Sequence, residues 1–162
     1  MNIAISPLDN RYAQKLLDVA DIFSNVNFTK LKLFVECEYL KYILKITDSH
    51  INNYEEYCNI INSFYNNFKE HREAECKKID KIEQKTNHDV QALIIYIKEN
   101  IPNDINEFVH FGLTSQDINS PAMVLTHKMF NYKIFHPLID ELINKLNILS
   151  DNKTLMLTFT HG

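Results

Sequence analysis

Four short polar segments carry side chains able to do chemistry. Thr86-Asn87-His88-Asp89-Val90 and Thr114-Ser115-Gln116-Asp117 interrupt apolar helical text. Ser6-Pro7-Leu8-Asp9-Asn10-Arg11-Tyr12 lies near the start, and Thr160-His161-Gly162 closes the chain. Hydroxyls and free amides at a helix start, as Thr114 and Ser115 would supply, form a socket for a carboxylate. The same four residues also serve as a plain N-cap, with Asp117 at the positive end of the dipole. His88 at a helix start is expected to stay neutral near pH 7, able both to accept and to donate a hydrogen bond. Simple capping explains it equally, and Asp89, as a sequence neighbour on a helix, is poorly placed to orient it. His161 follows Leu155, Leu157 and Phe159, an extended run into a core; as a general acid it would contribute about 10²–10⁴-fold by protonating a leaving nitrogen. Arg11 offers a fork for phosphate and Tyr12 a hydroxyl donor. None of the four segments decides a function alone.

The elements that must position these groups are helices. Only 2 Gly and 4 Pro in 162 residues leave few turns, hence long elements, and argue against an all-β fold or a Gly-looped nucleotide fold. Residues 1–12 read as an irregular arm turning at Pro7 and Asp9-Asn10. Phe28, Leu31, Val35, Tyr39, Tyr42 and Ile46 fall at the three-and-four spacing of an amphipathic helix. Tyr54, Tyr57, Ile61, Phe64 and Phe68 predict a second helix. A shorter charged helix over 73–84 carries Ile79 and Ile82, and its Lys77, Lys78, Lys81, Glu73, Glu75, Asp80 and Glu83 read as a solvated face. Thr86 or Asn87 is expected to cap a fourth helix with Val90, Leu93, Ile94 and Ile97 inward, ended at Ile101-Pro102. Thr114-Ser115 opens a long helical stretch to about Ser150, divided at Pro137 by a kink or a new first turn. Phe135, Leu138, Leu142, Leu146 and Leu149, widened by Ile139 and Ile143, form a stripe that expects partner helices. The fold class read here is all-α: a small N-terminal helical domain over residues 1–110, then the first long helices of a bundle over 111–162.

Composition bounds the rest. Hydrophobic residues make up 45% and charged residues 23%, the balance of a soluble globular protein, and the net charge is −4. No basic stripe suits nucleic acid, no apolar run reaches a membrane span, and no signal pattern opens the chain. Cys37, Cys58 and Cys76 have neither metal nor redox spacing and read as reduced thiols in a cytosolic protein. His50, His71, His110, His127 and His136 show no ligand spacing, so no metal site is read. There is no Gly-rich phosphate loop and no nucleophile elbow.

Taken in order, Ser-Pro-Leu-Asp-Asn-Arg-Tyr, Thr-Asn-His-Asp-Val, His-Phe-Gly-Leu-Thr-Ser-Gln-Asp-Ile-Asn and the final Thr-His-Gly resemble the N-terminal part of the adenylosuccinate lyases, a branch of the fumarase/aspartase superfamily. Gly162, where sister branches typically read Leu, and the Ser-Pro…Arg-Tyr opening favour that branch. The resemblance implies β-elimination of fumarate from adenylosuccinate, giving AMP, and from the carboxamide ribonucleotide SAICAR, giving AICAR, with no metal or organic cofactor. It implies His161 as general acid and His88 as second active-site histidine, flanked by Asn87 and Asp89. Thr114 and Ser115 would hold the dicarboxylate, Arg11 and Tyr12 the nucleotide, and Thr160 would add a hydrogen bond near the carboxylates. It further implies a cytoplasmic homotetramer with sites shared between subunits. The loop bearing the general-base serine is not in this chain, so the resemblance makes it a fragment inactive by itself. Two alternatives stand beside this reading. One is another lyase of the superfamily, such as argininosuccinate lyase. The other is a non-enzymatic helical interaction module.

Overall fold

A computed structural model describes residues 8, 12–47 and 53–151. Among them every regular element is a helix, as the sparse glycines require. The helices are α1 (Leu17–Phe23), α2 (Asn25–Ile46), α3 (Tyr54–Glu70), α4 (Arg72–Thr86), α5 (Asp89–Asn100), α6 (Ser115–Phe130) and α7 (His136–Asp151). Tight turns at Ala13–Lys15 and Asn103–Phe108 and a wide π turn at Asn131–Phe135 join them. The chain divides into two compact units, residues 20–126 and a second unit made of 1–19 with 127–162.

Unit 20–126 holds the core. Ser24 starts α2 by accepting from the Asn27 amide at 3.1 Å, and the buried Asn27 side chain ties back to the Ile22 carbonyl at 2.7 Å. Leu33, Cys37, Leu40 and Leu44 of α2 meet Ile61 and Phe68 of α3, Ile79 of α4, and Val90, Leu93 and Ile97 of α5. The faces expected for α3 and α5 are the ones buried. The α2 face is only partly so: Leu31 is buried and Phe28, Val35 and Tyr39 half-buried, but Tyr42 and Ile46 are exposed, while Leu33, Cys37, Leu40 and Leu44 also turn inward. Helix α2 is packed on several sides, which blurs the single apolar stripe that periodicity detects.

Two further expectations are corrected. Glu75 is not on a solvated face; it is buried, accepting from the Tyr96 hydroxyl at 2.7 Å and from Lys78 at 2.8 Å. Those bonds hold its carboxyl below the ordinary range. Neither Thr86 nor Asn87 caps α5. Asn87 ends α4 in the left-handed region (φ 51°), a conformation asparagine tolerates better than most residues, and His88 is the cap.

In the second unit, α7 begins at His136 directly after the π turn at 131–135, whose Asn131 carbonyl accepts from the His136 N–H, so Pro137 follows a helical turn rather than opening a separate helix. Leu138, Leu142, Leu146 and Leu149 on α7 are all more than half exposed, at 52–58%.

Candidate active site

The site grows from two helix starts in unit 20–126. At α5, His88 has extended backbone (φ −154°, ψ 114°) and its Nδ1 accepts from the Gln91 backbone N–H at 3.2 Å. An amide donating into Nδ1 places a lone pair there, so the imidazole proton sits on Nε2. That nitrogen faces Ser115 Oγ, the first residue of α6, at 3.5 Å, the outer limit of a hydrogen bond. Two amide-bearing N-termini are thereby brought to one place, with a tautomer set by the fold between them.

Asp89 does not orient His88 through Nδ1; the nearest approach is 3.7 Å and the amide already occupies that lone pair. Its partner is Lys32 of α2, whose ammonium lies 2.8 Å away and over the Phe28 ring. Burial works against the Asp89 charge, but Lys32 and the Val90 backbone N–H outweigh it and hold the carboxyl below its ordinary value. Asn87 sits at the α4–α5 junction with its side chain exposed.

At α6, Asp117 accepts from the Thr114 amide at 2.8 Å and from the Thr114 hydroxyl at 2.9 Å. These two bonds hold its carboxyl below the usual range. They engage the Thr114 hydroxyl locally and leave the Ser115 hydroxyl turned toward His88. Thr114 and Ser115 therefore both stand at the helix start, as expected, with different partners.

A cleft of about 530 Å³ opens beside this arrangement, lined by Phe28, Asp89, Gln116, Asn119, Ser120, Met123 and Val124. Its polar side chains come from the first two turns of α6 and from Asp89. Asn119 presents a buried Oδ1 that has no partner among the described residues. A larger groove of about 1140 Å³ runs along α3 past Asn59, Ser63 and Asn67, and none of the four polar segments lines it.

Sequence reasoning passed over His110, Glu36 and Lys32. His110 adopts φ 62°, rare for a residue with a side chain and worth about 1–3 kcal/mol of strain. Its Nδ1 lies 2.5 Å from Oε1 of Glu36, which is 1% exposed. Burial pushes the Glu36 carboxyl above its ordinary value, with His110 opposing. The available signal was a charged residue, Glu36, lying beside the apolar positions of α2.

Tyr12 is half-exposed at the start of the short turn at 13–15. Arg11, Thr160 and His161 lie outside the described residues. Among the described residues, no group of three His, Cys, Asp or Glu side chains could hold a metal ion, and no helix is long and apolar enough to cross a membrane.

A family model described as "Lyase" matches residues 12–162. The chain is 36% identical to the adenylosuccinate lyase of Buchnera aphidicola subsp. Acyrthosiphon pisum, over 98% of this chain and 36% of that protein. It is 33% identical to the adenylosuccinate lyase of Haemophilus influenzae, over 98% of this chain and 36% of the relative. Against the adenylosuccinate lyase of Dictyostelium discoideum it is 36% identical, over 76% of this chain and 28% of the relative. The chain thus spans about a third of the length of the curated relatives it matches.

Proposed function

The chain belongs to the lyase family, and from that membership we propose that its protein is an adenylosuccinate lyase, a carbon–nitrogen lyase of purine biosynthesis. The proposed reaction expels fumarate from adenylosuccinate, giving AMP, and from SAICAR, giving AICAR. A proton leaves the carbon next to a carboxylate, the C–N bond breaks, the electron pair forms the fumarate double bond, and the departing nitrogen gains a proton. In this reading His161 gives the leaving nitrogen its proton, and His88 binds substrate and assists the proton chemistry. Thr114, Ser115 and Thr160 hold the dicarboxylate part, Asn87 and Asp89 complete the binding segment around His88, and Arg11 and Tyr12 contact the nucleotide phosphate. No residue of this chain is assigned the base.

The observation that carries the reading is the approach of Ser115 Oγ to His88 Nε2. Two helix starts suit a carboxylate, because the positive end of each dipole favours negative charge. An imidazole N–H on Nε2 suits a donor to that same anion. Asp89, already paired with Lys32, brings little repulsion to the dianion.

We further propose a cytoplasmic homotetramer, with residues 1–110 as the first domain and 111–162 opening the bundle. Support comes from the uncovered leucine stripe of α7 and from the free thiols of Cys37, Cys58 and Cys76, which suit a reducing compartment.

The test is a direct assay on the full-length protein. Purified enzyme is expected to release fumarate from adenylosuccinate and not from argininosuccinate, and His161→Ala and His88→Ala are each expected to lose at least about 100-fold in kcat. Fumarate from argininosuccinate alone would move the protein to another lyase branch. Release from neither substrate would favour the helical interaction module.

A further inference from the structure

The segment that delivers Thr114 and Ser115 is held from outside by one helix. Glu36 and Tyr39 lie one turn apart on α2 and grip consecutive residues of that segment. Glu36 Oε1 meets His110 Nδ1 at 2.5 Å, and the Tyr39 hydroxyl donates to the Phe111 carbonyl at 2.8 Å. Both contacts span more than 70 residues of sequence, at separations of 74 and 72. Between them and the helix start the backbone takes two left-handed residues, His110 at φ 62° and Gly112 at φ 72°. Weak turns close the same stretch, with Phe111 N–H to the Phe108 carbonyl and Leu113 N–H to the His110 carbonyl at 3.3 and 3.2 Å. A left-handed residue bearing a side chain persists only where its surroundings over-determine it. Here the surroundings are the buried carboxylate and the tyrosine hydroxyl.

Glu36 is an expensive way to hold a loop. Its second oxygen, Oε2, is buried with no partner among the described residues. A residue retained only for packing at this position would be apolar, since burying an unsatisfied carboxylate oxygen costs stability. We propose that Glu36, with Tyr39, is a positioning residue for the dicarboxylate-binding end of α6: it holds His110 and Phe111 so that Ser115 meets His88. The proposal rests on the functional reading above, and it adds to it the part of α2 that sets substrate affinity. Glu36 touches no substrate in this arrangement and acts through His110.

The test uses the full-length protein with adenylosuccinate as substrate. Glu36→Leu, which keeps bulk and loses the hydrogen bond, is expected to raise KM about tenfold while kcat stays within about threefold. Glu36→Gln retains both an acceptor and a donor for Nδ1 and is expected to bring KM back to within about threefold of wild type. Tyr39→Phe is expected to raise KM a few-fold, and it carries the test if Glu36→Leu does not fold. Hydrogen–deuterium exchange over residues 108–115 is expected to rise in Glu36→Leu and not in Glu36→Gln. Wild-type KM in Glu36→Leu and Tyr39→Phe, with melting temperature alone lowered, would overturn the proposal. If wild-type protein releases no fumarate from adenylosuccinate, the functional reading fails separately. Exchange then decides the positioning role, and unchanged protection of 108–115 in Glu36→Leu overturns it.

Discussion

Ser115 Oγ stands 3.5 Å from His88 Nε2 across 27 residues of sequence, the hydroxyl at the first position of α6 and the imidazole at the cap of α5. The His88 Nδ1 lone pair is taken by the Gln91 amide, so the nitrogen facing Ser115 is the protonated one.

In the proposed reading Ser115 is a binding group rather than a nucleophile, since the His88 nitrogen it faces carries the proton and is a donor, not a base. In full-length protein Ser115→Ala is expected to raise KM for adenylosuccinate by about tenfold, the loss of one hydrogen bond to a charged group. Steady-state kinetics check this, and an unchanged KM with kcat lost would refute the binding role.

Lys32 and Asp89 form a pair in which the ammonium is the buried partner, with side-chain exposures of 7% and 43%. Removing Asp89 leaves that ammonium uncompensated, whereas removing Lys32 leaves a half-exposed carboxylate that water can solvate. Asp89→Asn is therefore expected to destabilise more than Lys32→Met, by about 1–3 kcal/mol against under about 1 kcal/mol. Urea unfolding of the two variants measures the order, and the reverse order would contradict the asymmetry.

Glu75 gives stability a pH dependence. Its carboxyl is held low by hydrogen bonds from Lys78 and Tyr96. A carboxylate with a depressed folded-state pKa contributes stability that is present above its unfolded value, near pH 4, and lost as pH falls through the folded one. Tyr96→Phe removes one of the two bonds, so the variant is expected to lose less stability than wild type between about pH 5 and pH 3. Melting temperatures across that window test it; parallel curves would show that Tyr96 does not support the charge.

Phe68 is fully buried between α3 and α5, edge-on to Tyr96 with ring centroids 6.0 Å apart. Phe68→Ala is expected to cost about 3–5 kcal/mol through lost burial and the cavity left behind. A loss below about 1 kcal/mol would mean that the α3–α5 contact is not part of the stable core.

The leucines of α7 are expected to mediate association. Leu142→Glu with Leu146→Glu should leave helix content unchanged, because both positions are more than half exposed. Sedimentation of wild-type and double-variant full-length protein should show the larger species only for wild type. Equal association of both would remove α7 from the interface.

Much of this protein was legible in its residues. Scarce glycine and proline and three-and-four apolar spacing determined an all-helical chain, because those patterns follow from backbone geometry alone. The buried faces of α3 and α5, the stop at Ile101-Pro102 and the start at Thr114-Ser115 needed only local rules. The order of the polar segments pointed to the lyase family without any coordinates. Tertiary structure decided the rest. That His88 rather than Thr86 or Asn87 caps α5 depends on Asn87 taking a left-handed φ. That Glu36 and Glu75 are buried, and that Asp89 serves Lys32 instead of His88, depends on partners 74, 21 and 57 residues away. A local pattern records which side chains share a helix face; it carries no term for a polar partner on another helix. Only packing supplies those partners, and with them the lowered carboxyls of Glu75 and Asp89 and the meeting of two helix starts.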